Sequence, residues 1–176
     1  MEKKIIKNIV EPTLKALRER NHSYTGFLYV GLMIKNNDPY LIEYNVRMGD
    51  PECQVILPRL KTDLGKLLKA SVENKLNKIK IKWSESKCMS IVLCSKGYPN
   101  RQIVNKKIDL RQIKLTNKSF IFHASTKIKN GLFFSNGGRV LNIVVLGNTF
   151  LKIRNQIIKI IKMINWKFGF FRKDIG

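Results

Sequence analysis

From Ile42 to Arg47 apolar and polar side chains alternate, and Met48-Gly49-Asp50-Pro51 then ends the run. Successive side chains on a β-strand point to opposite faces. The pattern therefore commits this segment to a half-buried strand, and the chain to a sheet covered on one side. Tyr40, Ile42, Tyr44 and Val46 are expected to face the core, with Glu43, Asn45 and Arg47 on the other face. Two residues apart on a strand, the Glu43 carboxylate and the Asn45 amide start about 7 Å apart, close enough for both oxygens to meet one cation. Magnesium accepts hard oxygen ligands and usually takes only one or two from protein, leaving the rest to phosphate and water. Arg47 adds a planar donor fork suited to phosphate. An ordinary polar strand face has the same composition, and this segment alone leaves both readings open.

The flanking sequence reads as mixed helix and strand. Ile5, Ile6, Ile9, Val10, Leu14 and Leu17 recur at helical spacing over residues 2–20, with Pro12 marking a kink or a break. Tyr24 to Ile34 is rich in aromatic and β-branched residues and reads as a strand. Asn36-Asn37-Asp38-Pro39 is a turn by composition, so this strand and the next should form a hairpin. Thr62-Asp63 offers an N-cap for a helix from Leu64 to about Val72. The Lys-rich run Glu73 to Lys82 lacks apolar periodicity and is the best domain boundary. Beyond it, strands are expected at Cys88–Ser95 and near Phe120–His123, Leu132–Phe134 and Arg139–Leu146, with Asn136-Gly137-Gly138 as a hairpin turn. A final helix over about Thr149–Ile164 should bury Phe150, Ile153, Ile157, Ile160, Ile161 and Ile164.

Composition narrows the class. An apolar share of 44% in 176 residues suffices for a packed core. No run of eighteen apolar residues occurs, and the first residues alternate charge with apolar character where a signal peptide would be continuously apolar. A cytoplasmic protein with no membrane partner is expected. Cys53, Cys88 and Cys94 show no paired spacing and sit in apolar stretches, as small core residues do; His22 and His123 lie too far apart to suggest zinc. The formal charge of +22 is scattered over every segment without interleaved aromatics, and Lys, Ile and Asn are abundant together while Ala and Gly are sparse. Drift toward A/T-rich codons explains that combination better than a nucleic-acid partner does, although net charge alone keeps a basic nucleic-acid-binding module as a distant alternative.

The run Asn45-Val46-Arg47-Met48-Gly49-Asp50-Pro51-Glu52-Cys53-Gln54 closely resembles the signature of the phosphoribosylamine–glycine ligase family of ATP-grasp enzymes. Other ATP-grasp families share the Glu-x-Asn-x-Arg core but continue differently, so Gly-Asp-Pro-Glu is the discriminating part. Tyr24-Thr25-Gly26-Phe27-Leu28-Tyr29-Val30-Gly31-Leu32-Met33, Gly97-Tyr98-Pro99, Phe122-His123-Ala124, Asn136-Gly137-Gly138-Arg139-Val140-Leu141 and Arg172-Lys173-Asp174-Ile175-Gly176 are similar to further family motifs, in order. Two departures stand out: Ser125 replaces the glycine that follows His-Ala, which would strain a turn needing positive φ, and Asn100-Arg101-Gln102 lacks the usual aromatic and glycine.

The resemblance implies an α/β (α+β) chain: the second part of an ATP-grasp domain over 1–72, a linker at 73–84, and a small mixed-sheet C-terminal domain with a terminal helix over 85–176. It implies an ATP-dependent ligase that joins glycine to 5-phosphoribosylamine through a glycyl phosphate, in purine biosynthesis. Glu43 and Asn45 would ligate Mg2+ or Mn2+, Arg47 would stabilise the transferring phosphoryl group, and Asp50 and Glu52 would hold the amine-bearing substrates. Arg172-Lys173-Asp174 would be an ion cluster at a domain interface. The groups that grip adenine and the triphosphate would belong to an amino-terminal half, supplied as a separate chain if the enzyme is split. The first part should then expose an apolar face, and the chain alone should be inactive. A non-enzymatic gene remnant is the rival reading.

Overall fold

The computed structural model describes residues 1–175. They form two compact units, 1–49 with 62–81 and 50–61 with 82–176.

The first unit opens with α1 (Glu2–Ile5), a π-helical turn (Ile6–Val10) and α2 (Glu11–Glu19) in unbroken succession. Pro12 therefore neither breaks nor ends the helix. A proline has no N–H, and its ring crowds the carbonyl four residues back. The turn before it is widened instead, with the Glu11 N–H reaching Ile6 O. Asn21, at φ 59°, ends the helix, and the His22 N–H returns to Leu17 O at 2.9 Å.

Strands β1 (Tyr29–Lys35) and β2 (Asp38–Asn45) pair antiparallel. Asn36 and Asn37, at φ 50° and 64°, make the two-residue turn whose twist matches paired strands. The strand expected from Tyr24 starts only at Tyr29. Gly26, at φ 149°, interrupts the extension, and the Tyr24 hydroxyl turns back onto Phe27 O. The expected core face also fails in part. Tyr44 is half-buried, its hydroxyl against Thr13 and Ile9 O of the helix, but Tyr40, Ile42 and Val46 are 55%, 65% and 73% exposed. A bulge is one cause: Gly31 pairs with Glu43 and Leu32 with Leu41, which leaves Ile42 as the extra residue. The other is that this sheet has two strands only. Met33, Ile34 and Leu41 of the hairpin are exposed as well. After α3 (Cys53–Ile56), which belongs to the second unit, α4 (Leu64–Val72) completes the first, and Asp63 caps it by accepting the Lys66 N–H at 2.7 Å.

The second unit is built on β3 (Lys87–Ser95), which pairs antiparallel with β8 (Arg139–Gly147). On one face Met89, Ile91 and Leu93 line up with Val145, Ile143 and Leu141, and this row packs on Ile153, Ile157 and Ile160 of α5 (Phe150–Met163). Thr149 caps α5, but Phe150 is half exposed, with Lys87 Nζ 5.0 Å above its ring. Strands β5 (Ser119–His123) and β9 (Gly169–Phe170) flank this sheet in the order β5-β8-β3-β9. A second sheet holds β4 (Lys107–Ile108), β7 (Leu132–Ser135) and β6 (Thr126–Lys129), in the order β4-β7-β6. Asn136-Gly137-Gly138 is therefore a crossing between two sheets and not the expected hairpin. The hairpin turn is Asn130-Gly131, between β6 and β7, with φ of 50° and 70°. Among the described residues no helix is long and apolar enough to cross a membrane.

Candidate functional site

In the first unit, β2 brings Glu43 and Asn45 to one face, as the strand period requires. Asn45 Nδ2 donates to Glu43 Oε1 at 3.0 Å. Here the amide presents its nitrogen to the carboxylate; a half-turn about its last bond presents the oxygen instead. Glu43 lies across Gly31, its partner on β1. A Cβ at Gly31 would stand 3.0 Å from Glu43 Cγ and 3.4 Å from Glu43 O, so the missing side chain leaves the space that the stem of Glu43 uses. Reading the sequence for chemistry passed over Gly31, though a glycine inside a β-branched strand is a sign of close approach. Arg47 follows the strand, exposed, with Nη1 donating to Met48 O at 2.8 Å.

The pair suits a hard cation. Both groups offer oxygen, and the carboxylate is exposed to incoming ligands. Among the described residues no group of three or more His, Cys, Asp or Glu side chains gathers. A cation here would thus draw one or two ligands from protein and the remainder from phosphate and water, as magnesium does. A zinc site, with three or four nitrogen or sulfur ligands, does not fit.

Asp50 and Glu52 belong to the second unit. Asp50 does not cap α3, whose N-cap is Glu52 and which has no side-chain cap bond. Its carboxylate is held on both oxygens: Gln54 Nε2 donates to Oδ1 at 3.0 Å, and Arg139 Nη2 pairs with Oδ2 at 3.1 Å. Arg139 Nη1 also donates to Asp50 O at 2.9 Å. The glycines before Arg139 serve close approach. A Cβ at Gly138 would fall 2.1 Å from the Tyr98 ring, and one at Gly137 2.7 Å from Ser125. Ser125 itself is not in the positive-φ region, so serine is accommodated without strain.

The remaining polar motifs are local. Arg172 and Asp174 pair with each other, and Arg154 of α5 pins the same segment through Lys173 O at 2.8 Å, both contacts lying within the second unit. His123 stacks on Phe133 with ring centroids 4.6 Å apart, and burial lowers its pKa. Burial raises the thiol pKa of Cys53, Cys88 and Cys94, all three free, which leaves them poor nucleophiles.

A helix-backed hairpin bearing this carboxylate–amide row, with a separate antiparallel-sheet unit after it, defines the carboxyl-terminal part of an ATP-grasp protein. The family models are more specific: the phosphoribosylglycinamide synthetase ATP-grasp (A) domain matches residues 1–53, and the phosphoribosylglycinamide synthetase C domain residues 88–176. The chain belongs to the phosphoribosylglycinamide synthetase family. It is 36% identical to phosphoribosylamine–glycine ligase of Brucella melitensis over 177 residues, covering 100% of this chain and 42% of that protein. To the ligase of Fusobacterium nucleatum it is 38% identical over 178 residues, with the same shares. A crystal structure of phosphoribosylamine–glycine ligase from Thermotoga maritima superposes with a TM-score of 0.81 at 30% identity, over 100% of this chain and 43% of that one. The chain thus spans about two fifths of the length of the relatives it matches.

Proposed function

We propose that this chain supplies the metal-binding row and the substrate loop for ATP-dependent joining of glycine to 5-phosphoribosylamine. The observation that carries the reading is Glu43 and Asn45 together on one face of β2, with the stem of Glu43 against Gly31 and Gly-Asp-Pro-Glu following. In this reaction ATP phosphorylates the glycine carboxylate and releases ADP. The ribosylamine nitrogen then attacks the acyl carbon and expels phosphate, forming the amide. Glu43 and Asn45 hold Mg2+ or Mn2+, which when bound neutralises charge on the phosphates. Arg47 places its guanidinium against charge that builds on the phosphoryl oxygens. The loop carrying Asp50 and Glu52 holds the amine-bearing substrates, with the Glu52 carboxylate suited to pair with ammonium and hydroxyl donors. Positioning supplies most of the catalysis in phosphoryl transfer. Turnover therefore requires the adenine and triphosphate contacts, which we assign to the part of the family's length that this chain does not span.

The test is glycine-dependent ADP release by this chain, alone and mixed with the complementary portion of the Thermotoga maritima relative. The mixture should turn over and the chain alone should not. Glu43→Ala should lower the mixture's rate about 100-fold or more, the scale of losing one preorganised electrostatic contact. A rate unchanged by Glu43→Ala would remove Glu43 from the site. Failure of every mixture would favour the non-enzymatic remnant.

A further inference from the structure

Four sequence motifs meet at the start of β8. Ser95, at the end of β3, donates twice to the Asn136-Gly137-Gly138 crossing: Oγ to Gly137 O and N–H to Gly138 O, each at 2.8 Å. Tyr98 of Gly97-Tyr98-Pro99 lies where a side chain on Gly138 would be, and Ser125, after His123-Ala124, lies where one on Gly137 would be. The Ser125 N–H donates to Arg139 O at 3.1 Å. The start of β8 is thereby fixed, and from it Arg139 reaches back along the chain to grip Asp50 through both the carboxylate and the main-chain carbonyl.

We infer that Arg139 is a positioning residue: it fastens the Asp50-Pro51-Glu52 segment to the C-terminal sheet, and Asp50 serves the substrate as that segment's anchor and not as a direct ligand. Both partners are roughly two-fifths exposed, and ion pairs so exposed contribute little to stability. Geometry is what the contact supplies. One guanidinium takes a carboxylate oxygen and a carbonyl oxygen of the same residue, which fixes that residue's orientation; an ammonium on a flexible stem cannot hold both in that way. Gln54 occupies the other carboxylate oxygen, so each oxygen of Asp50 already has a protein donor. The inference rests on the proposed reaction only for what the loop is positioned to do.

Arg139→Gln and Arg139→Lys test it in two measurements. Hydrogen exchange on the chain itself reads the anchor. In Arg139→Gln the amides of Gln54, Val55 and Ile56, which donate to Pro51 O and Glu52 O, should exchange about tenfold faster or more, while Ile91 and Ile143 amides stay protected. Kinetics of the mixture read the positioning. Arg139→Gln should raise KM for glycine or the ribosylamine about tenfold with the metal dependence unmoved, and Arg139→Lys should recover only part of that loss. Unchanged exchange at 54–56 overturns the anchor. Faster exchange with unchanged KM reduces it to a structural contact and overturns the positioning role, as does full recovery by lysine. If the unsubstituted mixture is inactive, the proposed reaction fails, and exchange alone decides the anchor.

Discussion

His123 shows how one side chain can make the fold sensitive to pH. Its ring stacks on Phe133, Nδ1 meets Thr126 Oγ1 at 3.0 Å, and burial lowers its pKa from the ordinary histidine value. Below about pH 6.5 the unfolded chain takes up a proton that the folded chain resists, so stability falls as pH drops through that value. Urea midpoints measured between about pH 7.5 and 5.5 should therefore decline, and His123→Gln should flatten the decline. An equal slope in the variant would assign the effect elsewhere. At this scale the sequence singles out candidates: Glu43, Asn45 and Arg47 are picked out by their spacing on a strand together with the Gly-Asp-Pro-Glu that follows. It did not show what they touch: Gly31 beneath Glu43 depends on strand register, and Arg139 on Asp50 closes a contact between residues 89 positions apart.

Among the described residues every non-glycine with positive φ is an asparagine: Asn21, Asn36, Asn37, Asn74, Asn105 and Asn130. In a chain with only 11 glycines, asparagine takes the left-handed positions that end helices and turn hairpins, because its short side chain tolerates that region better than other residues do. Asn74, at φ 55°, follows the C-cap of α4. Asn74→Ala should destabilise the chain by about 1 kcal/mol, while Asn74→Gly should be neutral or better. Thermal melts that rank alanine equal to glycine would refute the argument. Turn chemistry made Asn36-Asn37 legible, and periodicity made α5 legible with its Thr149 cap. Asn136-Gly137-Gly138 misled because glycines that allow close packing look the same in sequence as glycines that turn a hairpin. Pro12 located the disturbance in the first helix, but a widened π turn and a break satisfy the same missing N–H.

At the scale of the whole chain, the first unit leaves Met33, Ile34, Tyr40, Ile42 and Val46 exposed on its hairpin. Exposed apolar groups gathered on one element promote association. Sedimentation of the chain alone should show concentration-dependent association that Ile42→Lys weakens; a monomer at all concentrations, unaltered by the variant, would show that these side chains do not associate. The division into units is likewise tertiary. Segment 50–61 precedes α4 in sequence yet belongs with the C-terminal unit, because Arg59 donates to Ser84 O and Ser86 O, the Lys61 N–H donates to Lys82 O, and Arg139 holds Asp50. By itself the sequence determined the family, the mixed α/β class and the order of the main elements, and it singled out Glu43, Asn45 and Arg47 for the proposed metal row, because periodicity, turn chemistry and short motifs are local and survive in one dimension. Only the tertiary structure decided which faces are buried, which sheet each strand joins and what holds the Gly-Asp-Pro-Glu loop, because these follow from register and from contacts between distant segments that no local pattern encodes.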